Sequence, residues 1–258
     1  MIPVLMYHSV RERPPPETAA LAVSPGAFAE QMALLADGGF TPVPFSALAG
    51  GPAVPRPIVI TFDDGYADFH ERALPVLAAH GFTATVFVTT GWLADAGDAA
   101  AGRPLDAMMS WGQVAEAAAA GVEIGAHSHG HPQLDQLRDG PLREELARSR
   151  GLLEDRLGTA VTTMAYPYGY SSARVRRAVR AAGYAGACAV ANRLPAAGGD
   201  AYAVPRLTVR AATSPGTFAR VVEGRGVTRA YARDRALTKG YAAVRRGRYA
   251  LGRVRPRD

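Results

Sequence analysis

The sequence predicts an α/β protein whose parallel strands close into a (β/α) barrel. Short apolar runs alternate along the 258 residues with amphipathic segments, most of which end at a glycine. Such alternation is typical of parallel strands joined by crossover helices. The pattern contains about seven strands, which favours a barrel over an open, doubly wound sheet without excluding the latter. One large domain fits a chain of this length.

The predicted strands are short runs rich in β-branched and aromatic residues. They cover residues 3–8, 58–62, 83–88, 122–126, 162–166, 184–190 and 204–209, with a further short candidate at 40–43. Helices are predicted where apolar residues recur every three to four positions, as Phe28, Met32 and Leu35 do after the capping pair Ser24-Pro25. They cover residues 25–37, 68–80, 111–120, 141–157, 171–182 and 215–223.

The net charge of +6 is unevenly distributed along the chain. Residues 225–258 contain ten arginines and one lysine against two aspartates, a local net charge of +9, which leaves residues 1–224 near −3. We therefore predict a globular domain at 1–224 and a basic, arginine-rich extension at 225–258. The extension is either a mobile arm or a helix packed on the domain. It lacks the interleaved aromatic residues of nucleic-acid-binding segments, so we expect contact with an anionic glycan or a membrane surface, or a solubilising role.

Targeting signals are absent from the sequence as written. The first residues lack the basic segment and long apolar run of a signal peptide, and no stretch approaches the roughly 20 apolar residues of a membrane span. We expect a cytoplasmic protein, or an extracytoplasmic one if the start is truncated. The single cysteine, Cys188, lies in an apolar run and is expected to be a small buried residue, and no internal disulfide can form.

Two adjacent carboxylates follow the apolar run at residues 58–62. Asp63 and Asp64 stand at its carboxyl end, and Gly65 lets the chain turn there. Paired carboxylates at the end of a buried strand repel each other and are costly to desolvate, so a cation normally compensates them. The alternative is a solvated turn in which Asp64 caps the next helix.

Three more candidate residues follow predicted strands. His8, His127 and Tyr168 each stand just after an apolar run. Barrel enzymes carry their reactive groups at the carboxyl ends of the strands, so we expect these side chains on the same rim as Asp63 and Asp64. This coincidence favours a functional site over a simple turn.

A second histidine follows His127 at a spacing typical of metal ligands. His131 is four positions later, and Pro132 disfavours a helix there, which predicts a tight turn after the strand. Two imidazoles brought together beside a carboxylate suit a divalent metal, and His129 between them is expected to point away. Two histidines and one carboxylate leave coordination positions open, as a catalytic metal requires.

Such a site suits the hydrolysis of an acyl bond. A metal lowers the pKa of water and polarises a carbonyl group. The second carboxylate can act as the general base, and His8 as the general acid on a leaving nitrogen. A backbone N–H near Tyr168 can stabilise the developing oxyanion.

Three motifs carry a family resemblance. They are TFDDG at residues 61–65, HSxxH at 127–131 and AYPYG at 165–169. In this order they resemble the polysaccharide deacetylases, the NodB-homology or carbohydrate esterase family 4 group, over most of residues 3–210. LMYH at residues 5–8 looks like the circularly permuted branch that deacetylates poly-N-acetylglucosamine, whose acid histidine lies on the first strand. Consistent with this, no Leu-x-His motif occurs late in the chain.

The resemblance implies a distorted (β/α)7 barrel with its catalytic domain at 1–224, and removal of N-acetyl groups from N-acetylglucosamine-type glycans. Zinc is the implied cofactor, and nickel, cobalt or iron is tolerated by such sites. The implied roles are base for Asp63, metal ligand for Asp64, His127 and His131, acid for His8, and oxyanion donor through its backbone for Tyr168.

The sequence departs from this family in two places. The third motif usually begins with an arginine that contacts the base, and Ala165 stands there instead. We hypothesise that Arg206, on the strand at 204–209, orients Asp63 in its place; the alternative is an ordinary ion-paired arginine. The tryptophan-containing fourth motif is not clear, and Trp111 is either a core residue or part of a sugar-stacking wall.

Three functions remain open on the sequence alone. The leading one is a metal-dependent amide hydrolase acting on N-acetylated glycans. The others are a hydrolase of a different C–N bond, such as a cyclic amide, on the same fold, and a glycan-binding relative without catalysis.

Overall fold

Seven parallel strands form a closed ring, which confirms the predicted (β/α)7 barrel. A computed structural model describes the backbone of residues 1–254 and the side chains of these residues except Lys239 and residues 251–254. The ring order is β1-β3-β4-β5-β6-β7-β8, and the short β2 pairs with the outer side of β3. The strands are β1 (Val4–Tyr7), β2 (Thr41–Pro42), β3 (Pro57–Phe62), β4 (Thr85–Val88), β5 (Glu123–Ala126), β6 (Thr163–Ala165), β7 (Gly186–Val190) and β8 (Val204–Thr208).

The first strand closes the barrel. β1 pairs in parallel with β3, where Tyr7 lies opposite Phe62, and with β8, where Leu5 lies opposite Leu207. The carboxyl ends of β1, β3 and β8, which are far apart in the sequence, are therefore neighbours on one rim.

Helices surround the ring, and serine side chains begin several of them. Ser24, Ser110, Ser172 and Ser214 each accept a backbone N–H of the following helix. The helices are α1 (Pro25–Asp37), α2 (Leu74–Ala79), α3 (Trp111–Ala119), α4 (Asp139–Leu157), α5 (Ala173–Ala181), α6 (Pro215–Val222), α7 (Val227–Ala230) and α8 (Ala232–Val254).

The predicted helix at 68–80 is not regular throughout. Its first part, Phe69–Ala73, is a π-helix, and only Leu74–Ala79 is α-helical. Pro75 has no N–H to donate and its ring crowds the carbonyl four residues earlier, which accounts for the wider turn before it.

The core has two layers, separated by the strands. On β3, Ile58 and Ile60 face the helices, whereas Val59 belongs to a small cluster inside the ring that also contains Ala165 and the buried Cys188. This division follows from the alternation of side chains along a strand.

The C-terminal segment is helical and packed on the barrel as far as the structure describes it. α7 and α8 cover residues 227–254, and the Tyr231 hydroxyl donates to the Thr208 carbonyl oxygen at 2.9 Å. Among the described residues, no helix is long and apolar enough to cross a bilayer.

Candidate active site

The paired carboxylates lie at the carboxyl end of β3 and turn to different partners. The Asp63 N–H donates to the Tyr7 carbonyl oxygen at 3.0 Å, which extends the β1–β3 ladder by one residue. Asp64 has a φ of +73° and Gly65 a φ of +90°, so the chain leaves the strand through two left-handed residues. Both carboxylates are buried, with 3% and 5% of their surface exposed.

Asp63 is held by an arginine from the other side of the ring. Arg206 on β8 is fully buried, and its Nη1 and Nη2 donate to Asp63 Oδ1 and Oδ2 at 2.6 and 2.7 Å. Nη1 also donates to the Thr61 hydroxyl at 3.1 Å. Burial opposes ionisation of Asp63, but the charge and hydrogen bonds of Arg206, together with the nearby His127 and His8, outweigh it, so the pKa of Asp63 is lowered. The sequence-based hypothesis about Arg206 is therefore matched by a two-bond contact, although its effect on turnover stays a prediction.

Asp64 faces the two histidines instead. Its Oδ1 lies 3.4 Å from His127 Nε2 and 3.3 Å from His131 Nε2, and candidate ligand atoms of the three residues all lie within 4.8 Å of one another. Asp64 Oδ1 is buried and has no hydrogen-bond partner. Burial raises the pKa of Asp64, but its contacts with His127 and His131 outweigh this and hold it well below the usual range.

This donor set fits a divalent metal. His127 Nδ1 lies 2.9 Å from the Ala165 carbonyl oxygen, which can only accept, so Nδ1 carries the proton and Nε2 presents its lone pair to Asp64. Ligands about 2.0–2.1 Å from a tetrahedral zinc stand roughly 3.3–3.4 Å apart, which matches the distances from Asp64 to both histidines. Without a cation, a buried carboxylate oxygen would face these nitrogens unpaired.

A strained turn presents the second histidine. Ser128 and His131 have φ values of +63° and +60°, and the His131 N–H donates to the Ser128 hydroxyl at 3.1 Å. Glu145 on α4 accepts the N–H groups of His129 and Gly130 at 2.9 and 2.8 Å. These bonds fix the loop between the two candidate ligands.

His129 takes no part in the cluster. Its Nδ1 lies 2.9 Å from the Thr90 hydroxyl, and it is not among the grouped ligand atoms. The sequence-based expectation that it points away agrees with this placement.

His8 lies next to Asp63, where the register of β1 on β3 puts it. Its Nε2 is 4.0 Å from Asp63 Oδ2. Burial, together with the nearby Arg206 and His127, lowers the pKa of His8 more than Asp64 and Asp63 raise it. A neutral imidazole is therefore favoured at rest, and its protonated form is a stronger acid than free imidazolium.

Aromatic rings enclose His131. The Trp92 ring lies 4.6 Å from it and the Tyr168 ring 4.8 Å, centroid to centroid. Tyr168 has a φ of +58° and is 52% exposed, so it stands over the cluster at the rim. Trp111, the first residue of α3, is instead buried in the core, so it does not form a wall that contacts the sugar.

A cavity of about 450 Å³ opens beside the cluster. Its volume lies within the roughly 300–1,000 Å³ usual for small-molecule sites. All of the predicted site residues except the fully buried Arg206 line it, together with several that sequence reasoning missed. The missed lining residues include Tyr66, Asn192, Arg210 and, from α8, Leu237 and Tyr241.

Some of the missed residues carry a recognisable signal. Trp92 and Asn192 follow β4 and β7 in the chain, so the strand-end rule that selected His127 applies to them equally. Burial and the neighbouring Asp64 raise the pKa of Tyr66, so its hydroxyl stays protonated. The α8 residues carry no such signal, because a helix beyond the last strand has no fixed place in the barrel pattern.

Comparison with known proteins gives one family. A sequence model of the family "Polysaccharide deacetylase" matches residues 50–187, more than half of the chain. The Bacillus subtilis (strain 168) protein YxkH, described as a polysaccharide deacetylase, is 28% identical over 231 residues, which cover 86% of this chain and 76% of YxkH.

Two further relatives extend the comparison. The Escherichia coli (strain K12) poly-β-1,6-N-acetyl-D-glucosamine N-deacetylase is 30% identical over 94 residues, which cover 34% of this chain and 14% of that protein. The Streptococcus pyogenes deacetylase PplD, solved in complex with acetate, superposes with a TM-score of 0.74 at 26% identity, over 84% of this chain and 95% of PplD.

Proposed function

The chain belongs to the polysaccharide deacetylase family, and we propose that it is a metal-dependent hydrolase of N-acetyl groups on N-acetylglucosamine-type poly- or oligosaccharides. One observation carries the proposal: Asp64, His127 and His131 converge as an open ligand set beside Asp63, whose carboxylate is fixed by Arg206. A structural metal site would be closed by a fourth protein ligand, and none joins this cluster among the described residues.

Each residue takes a distinct part in the reaction. Asp64, His127 and His131 would hold a divalent metal such as zinc, which would supply a Lewis acid to polarise the acetyl carbonyl and make water more acidic. Asp63 accepts the proton of the attacking water, and Arg206 keeps that carboxylate ionised and aimed.

The remaining steps complete the hydrolysis. The Tyr168 backbone N–H donates to the carbonyl oxygen as negative charge develops there. The proton that Asp63 takes from the water passes to the neighbouring His8. His8 donates it to the amide nitrogen as the C–N bond breaks, which yields acetate and a free amine. The distance of 4.0 Å between His8 Nε2 and Asp63 Oδ2 supports the proposal that both residues act on one acetamido group.

The substrate class is inferred from the relatives and the opening strand. The matched region of the Escherichia coli relative belongs to an enzyme named for poly-β-1,6-N-acetyl-D-glucosamine. His8 on β1 is the feature that the sequence shares with that branch. We therefore expect N-acetylated glucosamine polymers to be better substrates than cyclic amides.

Acetate release tests the proposal. The protein, stripped of metal and supplied in turn with zinc, cobalt, nickel or iron(II), is assayed on N-acetylglucosamine oligomers linked β-1,6 or β-1,4, and on a cyclic amide. Acetate from the oligomers, lost in Asp63→Asn while metal binding is kept, is the expected result. Turnover of the cyclic amide alone would show that the protein hydrolyses a different class of C–N bond. Binding of the oligomers without release of acetate, with every metal tested, would show that it is a glycan-binding protein.

A further inference from the structure

The C-terminal helix supplies one wall of the cavity beside the ligand cluster. Asp234, Leu237, Thr238 and Tyr241 of α8 line it. Their spacing of three and four residues puts them on one face of the helix. α8 lies outside residues 50–187, the part that matches the family model.

This wall is apolar yet exposed. The described residues contain seven exposed large apolar or aromatic side chains, and four of them, Leu105, Tyr168, Leu237 and Tyr241, line this one cavity. Leu237 is 49% and Tyr241 57% exposed. Single exposed apolar side chains are ordinary, but their concentration on the rim of a pocket marks an interaction site.

The helix is held in this position at two points, near its start and in its second half. Near its start, Asp234 pairs with Arg210 at 3.0 Å. Farther along, Arg245 is nine-tenths buried, donates to Asp135 at 2.8 Å, and lies over the Tyr170 ring. Salt bridges that are this buried hold a defined geometry better than surface pairs do. The wall is therefore already formed in the free protein.

We propose that α8 forms the subsite for the sugar residues adjacent to the one being deacetylated. This inference rests on the proposed function. A sugar ring has a flat face of C–H groups and an edge of hydroxyls, and the helix presents the complement of both. Tyr241 and Leu237 offer apolar surface for the ring face, while Asp234 and Thr238 offer hydrogen-bonding groups for the hydroxyls.

The position of α8 favours a glycan over a lipid surface. Leu237 and Tyr241 line the cavity, whereas Val244, equally apolar and 60% exposed about one turn farther along the same face, does not. A membrane would bury all three of Leu237, Tyr241 and Val244, whereas a glycan that leaves the ligand cluster meets only the first two. Val244→Ala is therefore a matched control.

The experiment measures KM for a β-1,6-linked N-acetylglucosamine pentamer and dimer with the metal-loaded, full-length protein. Leu237→Ala and Tyr241→Ala should each raise the KM for the pentamer by roughly three- to tenfold, with a smaller rise for the dimer and little change in kcat. Tyr241→Phe should stay close to wild type because it keeps the ring, and Val244→Ala should not differ from it. In the Asp63→Asn background, the Kd for the pentamer should weaken by the same factor in the Tyr241→Ala variant.

The contrary outcomes are distinct. A wild-type protein active on the pentamer, with unchanged KM and Kd in both alanine variants, would overturn the assignment of α8 and leave the proposed function intact. Weaker binding of all three alanine variants to anionic phosphatidylglycerol vesicles, with KM unchanged, would assign the face to a lipid surface. A wild-type protein that releases no acetate from the pentamer with any metal would overturn the proposed function and this inference together.

Discussion

At the scale of single residues, the pair formed by Arg206 and Asp63 decides whether the proposed base is usable. Both side chains are buried, and they make two parallel charge-assisted bonds at 2.6 and 2.7 Å. Removing one partner of such a pair leaves the other as an uncompensated buried charge.

Arg206→Ala should therefore damage both stability and turnover. We expect the free energy of unfolding to fall by about 3–5 kcal/mol. We expect kcat to fall on the order of 100-fold, because the base loses its orientation. Metal stoichiometry should stay that of wild type, since Arg206 is outside the ligand set.

Two variants check the reason for that loss. Arg206→Lys keeps the charge without the two-bond fork, so it should recover part of the stability and little of the turnover. Arg220→Ala, which removes an exposed arginine of α6, serves as the control for loss of a positive charge. If Arg206→Ala kept normal kcat with loaded metal, the positioning role would be wrong.

A second residue predicts a pH dependence of stability. Asp68 is buried, and burial raises its pKa in the folded protein above the unfolded value near 3.9. The folded state thus favours the protonated form, so this group's contribution is fully present below the unfolded pKa and is lost as pH rises through the folded pKa. Asp68→Asn, a neutral isostere that can still accept from Ser9, should therefore gain in Tm relative to wild type between pH 4 and pH 7.

The Tm values of Asp68→Asn and of the wild type, measured at pH 4 and at pH 7, test this prediction. Asp98→Asn, which changes an exposed aspartate in a surface turn, gives the baseline for losing one negative charge. An Asp68→Asn effect that shrinks towards neutral pH would mean that the carboxylate is stabilised rather than penalised by its surroundings.

The sequence predicted most of the site because one physical rule covers it. Residues that follow parallel strands meet on one rim, so His8, Asp63 and His127 could be grouped before any coordinates were known. The contact between Arg206 and Asp63 could only be hypothesised from the sequence. It depends on the register of β8 in the sheet and on enough space inside the ring for the arginine side chain, and neither can be derived from the sequence. Ala165 belongs to the interior cluster, and its small side chain contributes to that space.

At the scale of secondary-structure elements, α4 holds the loop between the two histidines that are the proposed metal ligands. Glu145 accepts two consecutive N–H groups of that loop, those of His129 and Gly130. The loop contains two residues in the left-handed region, a conformation that persists only when the surroundings hold it. α4 therefore supports the loop that carries the candidate ligand His131.

Glu145→Ala should weaken metal binding. Loss of a group that orients the ligands typically costs roughly 10- to 100-fold in metal affinity. Competition with a chelator measures this directly and does not depend on activity. Glu144→Ala, at the exposed neighbouring position of α4, is the matched control. Equal zinc affinities in the two variants would show that the loop at Ser128 keeps its conformation without the bonds from Glu145.

Elements differ in how far the sequence determines them. α1 runs from Pro25 to Asp37 as expected, because a serine cap, a proline and two glycines mark its ends. The position of α8 could not be derived in the same way. Its contacts with the barrel depend on partners that are distant in the sequence, such as Asp135. The composition of the tail was compatible both with a mobile arm and with a packed helix.

At the scale of the whole molecule, the site joins distant parts of the chain. His8 comes from β1, the carboxylates from the end of β3, the histidine ligands from the loop after β5, and Arg206 from β8. β1 completes the ring between β3 and β8. The site therefore exists only when the barrel is closed, and the unfolded chain has no preformed ligand set.

Binding of metal should consequently stabilise the entire fold. A ligand that binds only the folded state adds about 2.7 kcal/mol at a free concentration 100 times its Kd, which corresponds to a rise in Tm of roughly 5–10 °C for a chain of this size. Zinc added to the chelator-stripped protein should produce this rise, with the size depending on zinc concentration. His131→Ala removes a ligand that faces Asp64 and should abolish most of it, whereas His129→Ala, in the same loop but bonded to Thr90, should keep it. Since the measurement is thermal and needs no substrate, it separates the ligand assignment from the choice of glycan. Equal zinc-induced shifts in both histidine variants would rule out His131 as a ligand.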